Sequence, residues 1–519
     1  MPRRRLAALA GLLAAALTLG VAQLVAAVLP SGSSPLSAVG DAFIDVTPAW
    51  LKDLAIDVFG TADKTALLVG MVLVLAVLAA GAGVLAVRSP GLATGVVLAV
   101  GLAAGVVAAA RPGNGPAAAL PSLAGAAAGA VALRALVRRL GPDGAPGSAP
   151  ADRDHGPAGG AVPRPDRRGF LVGAAGVAVV AALTAAAGGV VGSAARVATA
   201  ARDRLRLPSP ARPAPPVPSG AQVDVPGVAD VVTRNADFYR IDTALAVPQV
   251  DPATWRLRVH GMVEREVTID FDELLAGDLV EAWVTLACVS NPVGGDLVGN
   301  ARWLGLPVRE LLARAGPLPG ADMVLSTSAD GFTASTPLPV LTDDRDALLA
   351  VGMNGEPLPA AHGFPARLVV PGLYGYVSAT KWVTDLEVTR FADREAYWTV
   401  RGWSARGPVK TASRIEVPRA GTSLPAGDVV VAGTAWAQHR GVTGVEVQVD
   451  EGAWEAADVA TEISVDTWRQ WSWTWRAEPG RHVLRVRASD PEGPQTGDVA
   501  DVVPDGATGW HEVDVVVEG

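Results

Sequence analysis

Five uncharged apolar runs of nearly membrane-spanning length lie in the first 200 residues, and they constrain this chain more than any other feature. They cover residues 6–29, 65–87, 91–110, 116–133 and 170–191. Roughly 20 such residues cross a bilayer as a helix, and a helix satisfies every backbone group within one segment. The fourth run is richer in Ala and Gly than in Leu. Half of the 519 residues are hydrophobic, but that average merges these runs with a C-terminal part of ordinary soluble composition.

Charges orient the runs by the excess of Lys and Arg on the inner side. Arg3, Arg4 and Arg5 precede the first run, and Arg134, Arg138 and Arg139 close the fourth. Asp41, Asp45, Asp53, Asp57 and Asp63 lie between the first and second, on the opposite side, with Arg88 in a short inner turn. Arg111 runs against the pattern. Residues 1–140 therefore read as a four-helix transmembrane anchor and 141–169 as a basic Pro/Gly-rich cytoplasmic linker. Residues 170–191 form a fifth span, which places 192–519 on the extracytoplasmic side of the cell membrane. "DRRGFLVGAAG" (166–176) resembles a twin-arginine export signal, with Arg167 and Arg168 ahead of Phe170, Leu171 and a mild apolar run.

Several functions are excluded at this stage. The net charge is -9 with no basic patch, so nucleic acid is not an expected partner. The six histidines, at 155, 260, 362, 439, 482 and 511, all lie outside the runs, which leaves no bis-His haem within the helices. The one cysteine rules out an internal disulfide, CxxC metal sites and a Cys-ligated iron–sulfur cluster. The anchor reads as a docking platform rather than a pump.

"LPSPARPAPPVPSG" (207–220) is proline-rich, and 192–224 is expected to be an extended spacer holding the soluble part off the membrane. Residues 225–405 mix short strands with few helices, an α+β pattern. "WRLRVHGMVEREVTIDFDELL" alternates and then starts a short helix; "LGLPVRELLARAG" opens a helix behind Pro307 and stops it at Gly316. Residues 406–519 hold short alternating strands and predict an all-β sandwich of immunoglobulin type. Trp436, Trp454, Trp468, Trp471, Trp473 and Trp475 then fill its core and one sheet face.

Cys288 ends the strand-like "WVTLAC", and "VSNPVGG" turns the chain at once. A thiol at a strand end, opening a Pro/Gly loop, faces a cleft. A lone thiolate suits a soft metal centre whose remaining ligands come from a cofactor. A small buried hydrophobe or a chance leftover is the alternative; His260, beside Gly261 at a strand end, reads separately as a structural residue.

From about residue 225 to 517 the chain resembles the sulfite oxidase family of molybdopterin enzymes. The resemblance is carried in order by "YRIDTALAVPQVDPATWRLRVHG", "TLACVSN", "SADGFTASTPL", "HGFPARLVVPGLYGYVSATKW" and "GPVKTASRI", followed by a C-terminal part similar to the molybdenum-cofactor oxidoreductase dimerisation domain. It implies a molybdenum–molybdopterin cofactor with Cys288 as its metal thiolate and Arg240 near the metal. Tyr239 lies on the segment lining the cofactor. His362 and Arg367 are implied to bind the pterin or its phosphate, Ala379, Thr380 and Lys381 to form a backbone and amine cradle, and Asp330 to bond the pterin. In animal sulfite oxidases an arginine follows the cysteine by five residues and holds the sulfite anion. Val293 stands there in this chain, leaving Arg302, Lys410 and Arg414 as alternative cations.

The reading is a membrane-anchored, exported molybdopterin oxidoreductase performing two-electron oxygen-atom transfer. With no haem or iron–sulfur cluster expected in the chain, its electrons pass to or from a separate cytochrome, membrane haem protein or quinone-linked subunit. The substrate is a small oxyanion or an S- or N-oxide, and a homodimer through the C-terminal domain is one arrangement the resemblance implies. The alternatives are a sulfoxide reductase of the protein-repair kind and a non-catalytic cell-surface binding protein.

Overall fold

The computed structural model describes residues 3–29, 35–47, 58, 63–110, 115–140, 167–191, 193–244 and 246–519. The linker at 141–166, Asp53, Asp57 and Arg111 lie outside them. The chain divides into two compact units, Met1–Arg196 with Thr243–Ala246, and Val197–Asp242 with Val247–Gly519.

The first unit is helical. Its helices are α1 (Arg3–Val28), α2 (Pro35–Val46), α3 (Asp63–Arg88), α4 (Pro90–Ala110), α5 (Leu120–Arg138), α6 (Arg167–Val191) and the start of α7 (Ser193–Arg204). Five of the helical stretches are long and apolar enough to cross a membrane, and they coincide with the five runs. Lipid offers no hydrophobic drive for helix association, so close packing must come from small residues. A Cβ on Gly83 would run into the Ala7 carbonyl of α1, and one on Gly125 into the Thr18 carbonyl of the same helix. The backbones approach because those side chains are missing. Arg134 Nε donates to Thr94 Oγ1 at 2.9 Å, joining α5 to α4.

The second unit begins within α7. Arg202, in its last turn, donates to the carbonyls of Leu358 at 2.9 Å and Pro357 at 3.0 Å. The proline-rich segment that follows is extended, but it does not run through solvent. It lies along an edge of the sheet containing Val280–Ala287. Glu281 N–H donates to Arg212 O at 2.8 Å, Ala211 N–H to Leu279 O at 2.7 Å, and Trp283 Nε1 to Pro215 O at 2.8 Å. Prolines carry no N–H but keep their carbonyls, so such a segment can cap the donors of an edge strand without inviting further pairing.

Ten strands follow up to residue 389: β1 (Arg256–Gly261), β2 (Val267–Asp270), β3 (Val280–Ala287), β4 (Val298–Pro307), β5 (Met323–Ser328), β6 (Thr333–Pro337), β7 (Leu348–Met353), β8 (Glu356–Pro357), β9 (Arg367–Val369) and β10 (Val383–Thr389). One sheet has the order β2-β1-β10-β5-β6; the other is β3-β4-β7-β8 with β9 on β7. Three short helices connect them. Phe271–Leu275 (α8) is capped by Asp270, whose side chain accepts from Glu273 N–H. Val308–Ala315 (α9) follows Pro307 and ends at Gly316, φ +69°, as the sequence predicts; Leu338–Thr342 is α10.

The C-terminal part has β11 (Ala412–Val417), β12 (Ser423–Pro425), β13 (Gly427–Trp436), β14 (Gly444–Val449), β15 (Glu455–Ala456), β16 (Asp458–Val459), β17 (Arg469–Ala477), β18 (Gly480–Asp490), β19 (Gly493–Pro494) and β20 (His511–Glu518). They form two sheets, β11-β13-β17-β16 and β12-β20-β18-β14-β15 with β19 on β18. A core of alternate Val, Ala, Leu and Trp residues joins the two, including Trp471, Trp475, Val431, Val447 and Leu484. Trp436 and Trp468 are buried as well, but in the core of the preceding part.

That sharing has a structural cause. Thr285, three residues before Cys288, accepts from Trp468 N–H at 2.8 Å through its hydroxyl and donates to Asn300 Oδ1 at 3.1 Å. Its backbone N–H reaches Asp466 O at 2.9 Å, and its carbonyl takes Gln438 Nε2 at 3.1 Å. Strand β3 pairs with β4 along one edge, and its other edge is held first by the proline-rich segment and then by loops of the C-terminal sheets.

Candidate active site

Cys288 leaves the end of β3 and its N–H donates to Leu297 O at 2.9 Å, which closes the loop carrying Val293. The residue is 9% exposed, and it lies on the wall of a cavity of about 620 Å³, not inside packed aliphatic side chains. Burial pushes its thiol pKa up, against hydrogen bonds from Ser290. Among the described residues no group of three His, Cys, Asp or Glu is placed to hold a metal ion. Cys288 thus acts as a protein ligand only if a cofactor supplies the others.

On the other side of Cys288 is a buried basic cluster. Phe238 stacks on Tyr239 with ring centroids 5.3 Å apart, and meets Trp303 and His362 edge-on at 5.8 and 5.7 Å. This aromatic set positions Tyr239 and His362. Burial drives the Tyr239 phenol far above its usual pKa, the Cys288 charge adding to the effect and Arg367 opposing it, so Tyr239 neighbours both.

Arg367 is 5% exposed. Its guanidinium donates to the carbonyls of His362 at 3.1 Å, Ala379 at 3.3 Å and Leu368 at 3.3 Å, and stands 5.1 Å from the Trp303 ring. No carboxylate pairs with it among the described residues, and burial lowers its pKa to about 10. Lys381 Nζ donates to Asp242 Oδ2 at 2.7 Å and to Ala361 O at 3.3 Å. Burial takes its pKa down to about 8, with Asp242 opposing. Arg240 Nε donates to the same Asp242 oxygen at 2.8 Å. Asp242 is thus shared by two cations, its side chain 4% exposed. Gly363, at φ +114°, allows the close approach, since a Cβ there would lie 2.9 Å from Arg367 Cβ and 3.2 Å from Lys381 Cβ.

His362 Nε2 lies 3.1 Å from Asn235 O. A carbonyl only accepts, so Nε2 carries the proton and, in the neutral ring, Nδ1 is an acceptor. Burial, then the Arg367 charge, lower its pKa to about 4, and the ring is neutral at pH 7.

The structure brings together Tyr239, Arg240, His362, Arg367, Ala379 and Lys381. Thr380 is fully buried, with its hydroxyl 2.7 Å from Ser326 Oγ, so it offers backbone only. Asp330 closes its own turn by accepting from Phe332 N–H at 3.1 Å, and the turn is tied to Trp382 O through Ala329 N–H. His260 pairs with Asp385 at 2.8 Å, a structural contact. Of the alternative cations, Arg302 faces Glu281 and Arg414 faces Glu416, and only Lys410 reaches the cavity. Sequence reasoning missed Asp242, Tyr374 and Arg440. Asp242 stands inside a quoted block and could have been flagged as a carboxylate beside Arg240.

Comparison with known proteins agrees with this geometry. A family model described as "Oxidoreductase molybdopterin binding domain" matches residues 244–398. The mitochondrial sulfite oxidase of Rattus norvegicus is 30% identical over 290 residues, 47% of this chain and 52% of that protein. The "Uncharacterized oxidoreductase YuiH" of Bacillus subtilis is 32% identical over 30% of this chain and 76% of its own length. The chain belongs to the sulfite oxidase family of molybdopterin-dependent oxidoreductases. It spans about half the length of the mammalian sulfite oxidases it matches. Among solved structures, the sulfane dehydrogenase SoxCD of Paracoccus pantotrophus aligns at 24% identity with a TM-score of 0.44, over 51% of this chain and 74% of that one.

The residues present fit the cofactor of this family. Arg240, Lys381 and Arg367 are set against one carboxylate, Asp242, a surplus of two positive charges, with Arg367 and Lys381 buried and Arg240 partly exposed. A phosphate monoester carries roughly two negative charges near neutral pH. Neutral His362 offers an acceptor at Nδ1, suited to the N–H groups of a pterin more than to its phosphate.

Proposed function

We propose that this protein is a membrane-anchored oxidoreductase that moves an oxygen atom between water and a small substrate, with two protons and two electrons exchanged in each turnover. When bound, the molybdenum pterin supplies the two-electron oxygen-atom chemistry. Cys288 gives the metal a protein sulfur and loses its proton on doing so. Arg367, Lys381 and Arg240 hold the anionic cofactor, Tyr239 and His362 line it, and the backbone of Ala379 and Thr380 completes the cradle. Asp330 orders the turn beside Trp382. Electrons pass to or from a separate redox protein.

The five apolar helices support an anchored protein, and the arginines at their ends support an extracytoplasmic catalytic part. The Arg167-Arg168 start of α6 supports export in the folded state, with the cofactor already in place.

The observation that carries the proposal is the surplus of buried positive charge beside a thiol that opens on a cavity. Uncompensated cations are costly to bury, and here the unpaired Arg367 shares Tyr239 as a neighbour with Cys288, the chain's one thiol. The test is metal analysis and a visible spectrum of the full chain purified in detergent after cofactor-competent expression. Near-stoichiometric molybdenum is expected, with visible absorption and turnover lost in Cys288→Ser while the fold is kept. Folded protein without molybdenum sinks the proposal.

A further inference from the structure

The cavity beside Cys288 has a charge balance of its own. Its charged lining consists of Lys410, Arg440, Asp490, Glu492 and Asp505, so three carboxylates face two cations. Both cations are already engaged. Lys410 Nζ donates to Asp505 Oδ1 and Gly506 O, each at 2.7 Å. Arg440 gives Nε to Asp490 Oδ2 at 2.8 Å, Nη1 to Val409 O at 3.0 Å and Nη2 to Thr411 Oγ1 at 2.8 Å.

Asp490 is held as firmly as the arginine it neutralises. It also accepts from the Thr411 hydroxyl, from Glu492 N–H at 2.8 Å and from Gly493 N–H at 3.2 Å. Although burial acts against it, these bonds hold its carboxyl below the usual range. At the rim Val293 is apolar and 36% exposed, and Pro292 and Trp436 add apolar wall.

An oxyanion leaving water needs donors that are not already spent on carboxylates. Each cation of the cleft's charged lining already faces a carboxylate, Lys410 with Asp505 and Arg440 with Asp490, so its charge is cancelled.

We propose that the cleft takes an uncharged organic substrate with an apolar body, and that Asp490 and Asp505 determine this specificity by cancelling Arg440 and Lys410. This rests on the oxidoreductase reading. Lys410 and Arg440 then shape the wall and do not grip substrate charge, and Pro292, Val293 and Trp436 receive the apolar part.

The test uses the full chain in detergent with its metal content measured, and two inert probes, sulfate and methyl phenyl sulfone, titrated calorimetrically. Wild type is expected to bind the sulfone at least about tenfold more tightly than sulfate. Asp505→Asn, on a half-exposed loop, releases Lys410 and should strengthen sulfate binding by about tenfold, with a salt dependence the wild type lacks. Sulfate binding in wild type as tight as the sulfone, or unchanged by Asp505→Asn, overturns the proposal. Absence of molybdenum from folded protein instead overturns the oxidoreductase reading, because the sulfate titration reads cleft charge whether or not metal is present.

Discussion

Replacing Arg367 by methionine separates a cofactor-binding arginine from a structural one, because the two roles predict opposite patterns. The guanidinium is buried without a carboxylate, and its pKa falls from the ordinary arginine range to about 10. A base whose folded pKa lies below its unfolded value opposes folding while it is charged. The opposition is complete below about pH 10 and is relieved as pH rises from there towards the ordinary arginine range, and it amounts to ~3 kcal/mol at neutral pH. Against it stand three hydrogen bonds to carbonyls, worth about 1 kcal/mol each, and the Trp303 stacking contact, worth about 1 kcal/mol. Methionine removes both sides of this balance while keeping much of the volume.

The cofactor-free Arg367→Met chain should therefore unfold within about 1 kcal/mol of the parent. Cofactor retention should behave differently. Loss of a charge-assisted hydrogen bond to a buried anion costs ~1.5–3 kcal/mol, about a 10- to 100-fold weaker hold. The assay pairs thermal unfolding of the cofactor-free chain with molybdenum content after dialysis of the loaded one. A variant that keeps full molybdenum but loses several kcal/mol of stability would refute the reasoning and make Arg367 a structural cation.

Three further outcomes follow from the same structure. His362, with its pKa lowered to about 4 by burial and Arg367, binds its proton in the unfolded chain first; stability should fall as pH drops from 6.5 to 4, by up to ~3 kcal/mol. His362→Gln should flatten that window in acid-unfolding curves, and an unchanged slope would assign the acid sensitivity to other groups. Thr285→Val strands the Trp468 N–H and one lone pair of Asn300 in a buried site; the expected loss is about 2 kcal/mol, with the Cys288 metal spectrum shifted because β3 loses its clamp. Gly83→Leu in α3 drives a side chain into the Ala7 carbonyl of α1, so the helical unit should lose about 2 kcal/mol in detergent unfolding, while the second unit keeps its own transition.

Elements whose cause is local could be read from the chain. Pro307 and Gly316 bracket α9 because one tolerates only a helix start and the other a left-handed stop. The alternation in β13 to β20 shows which residues face the core, and Cys288 is exposed as a site by the turn that follows it. What could not be read was charge cancellation, which depends on distance in space. Lys381 meets Asp242 across 139 positions and Lys410 meets Asp505 across 95. Sequence shows Lys410 as a cation available to an anion; the fold shows it spent. The same applies to the proline-rich segment, whose free carbonyls suggest a spacer until the unpaired edge of β3, about 70 residues further on, is seen to need acceptors. A lone cation in a motif is thus weak evidence for an anionic substrate. The firmer evidence is a cation without a carboxylate. Arg367 meets that criterion on the cofactor side of Cys288, and no charged group meets it among the residues lining the cavity.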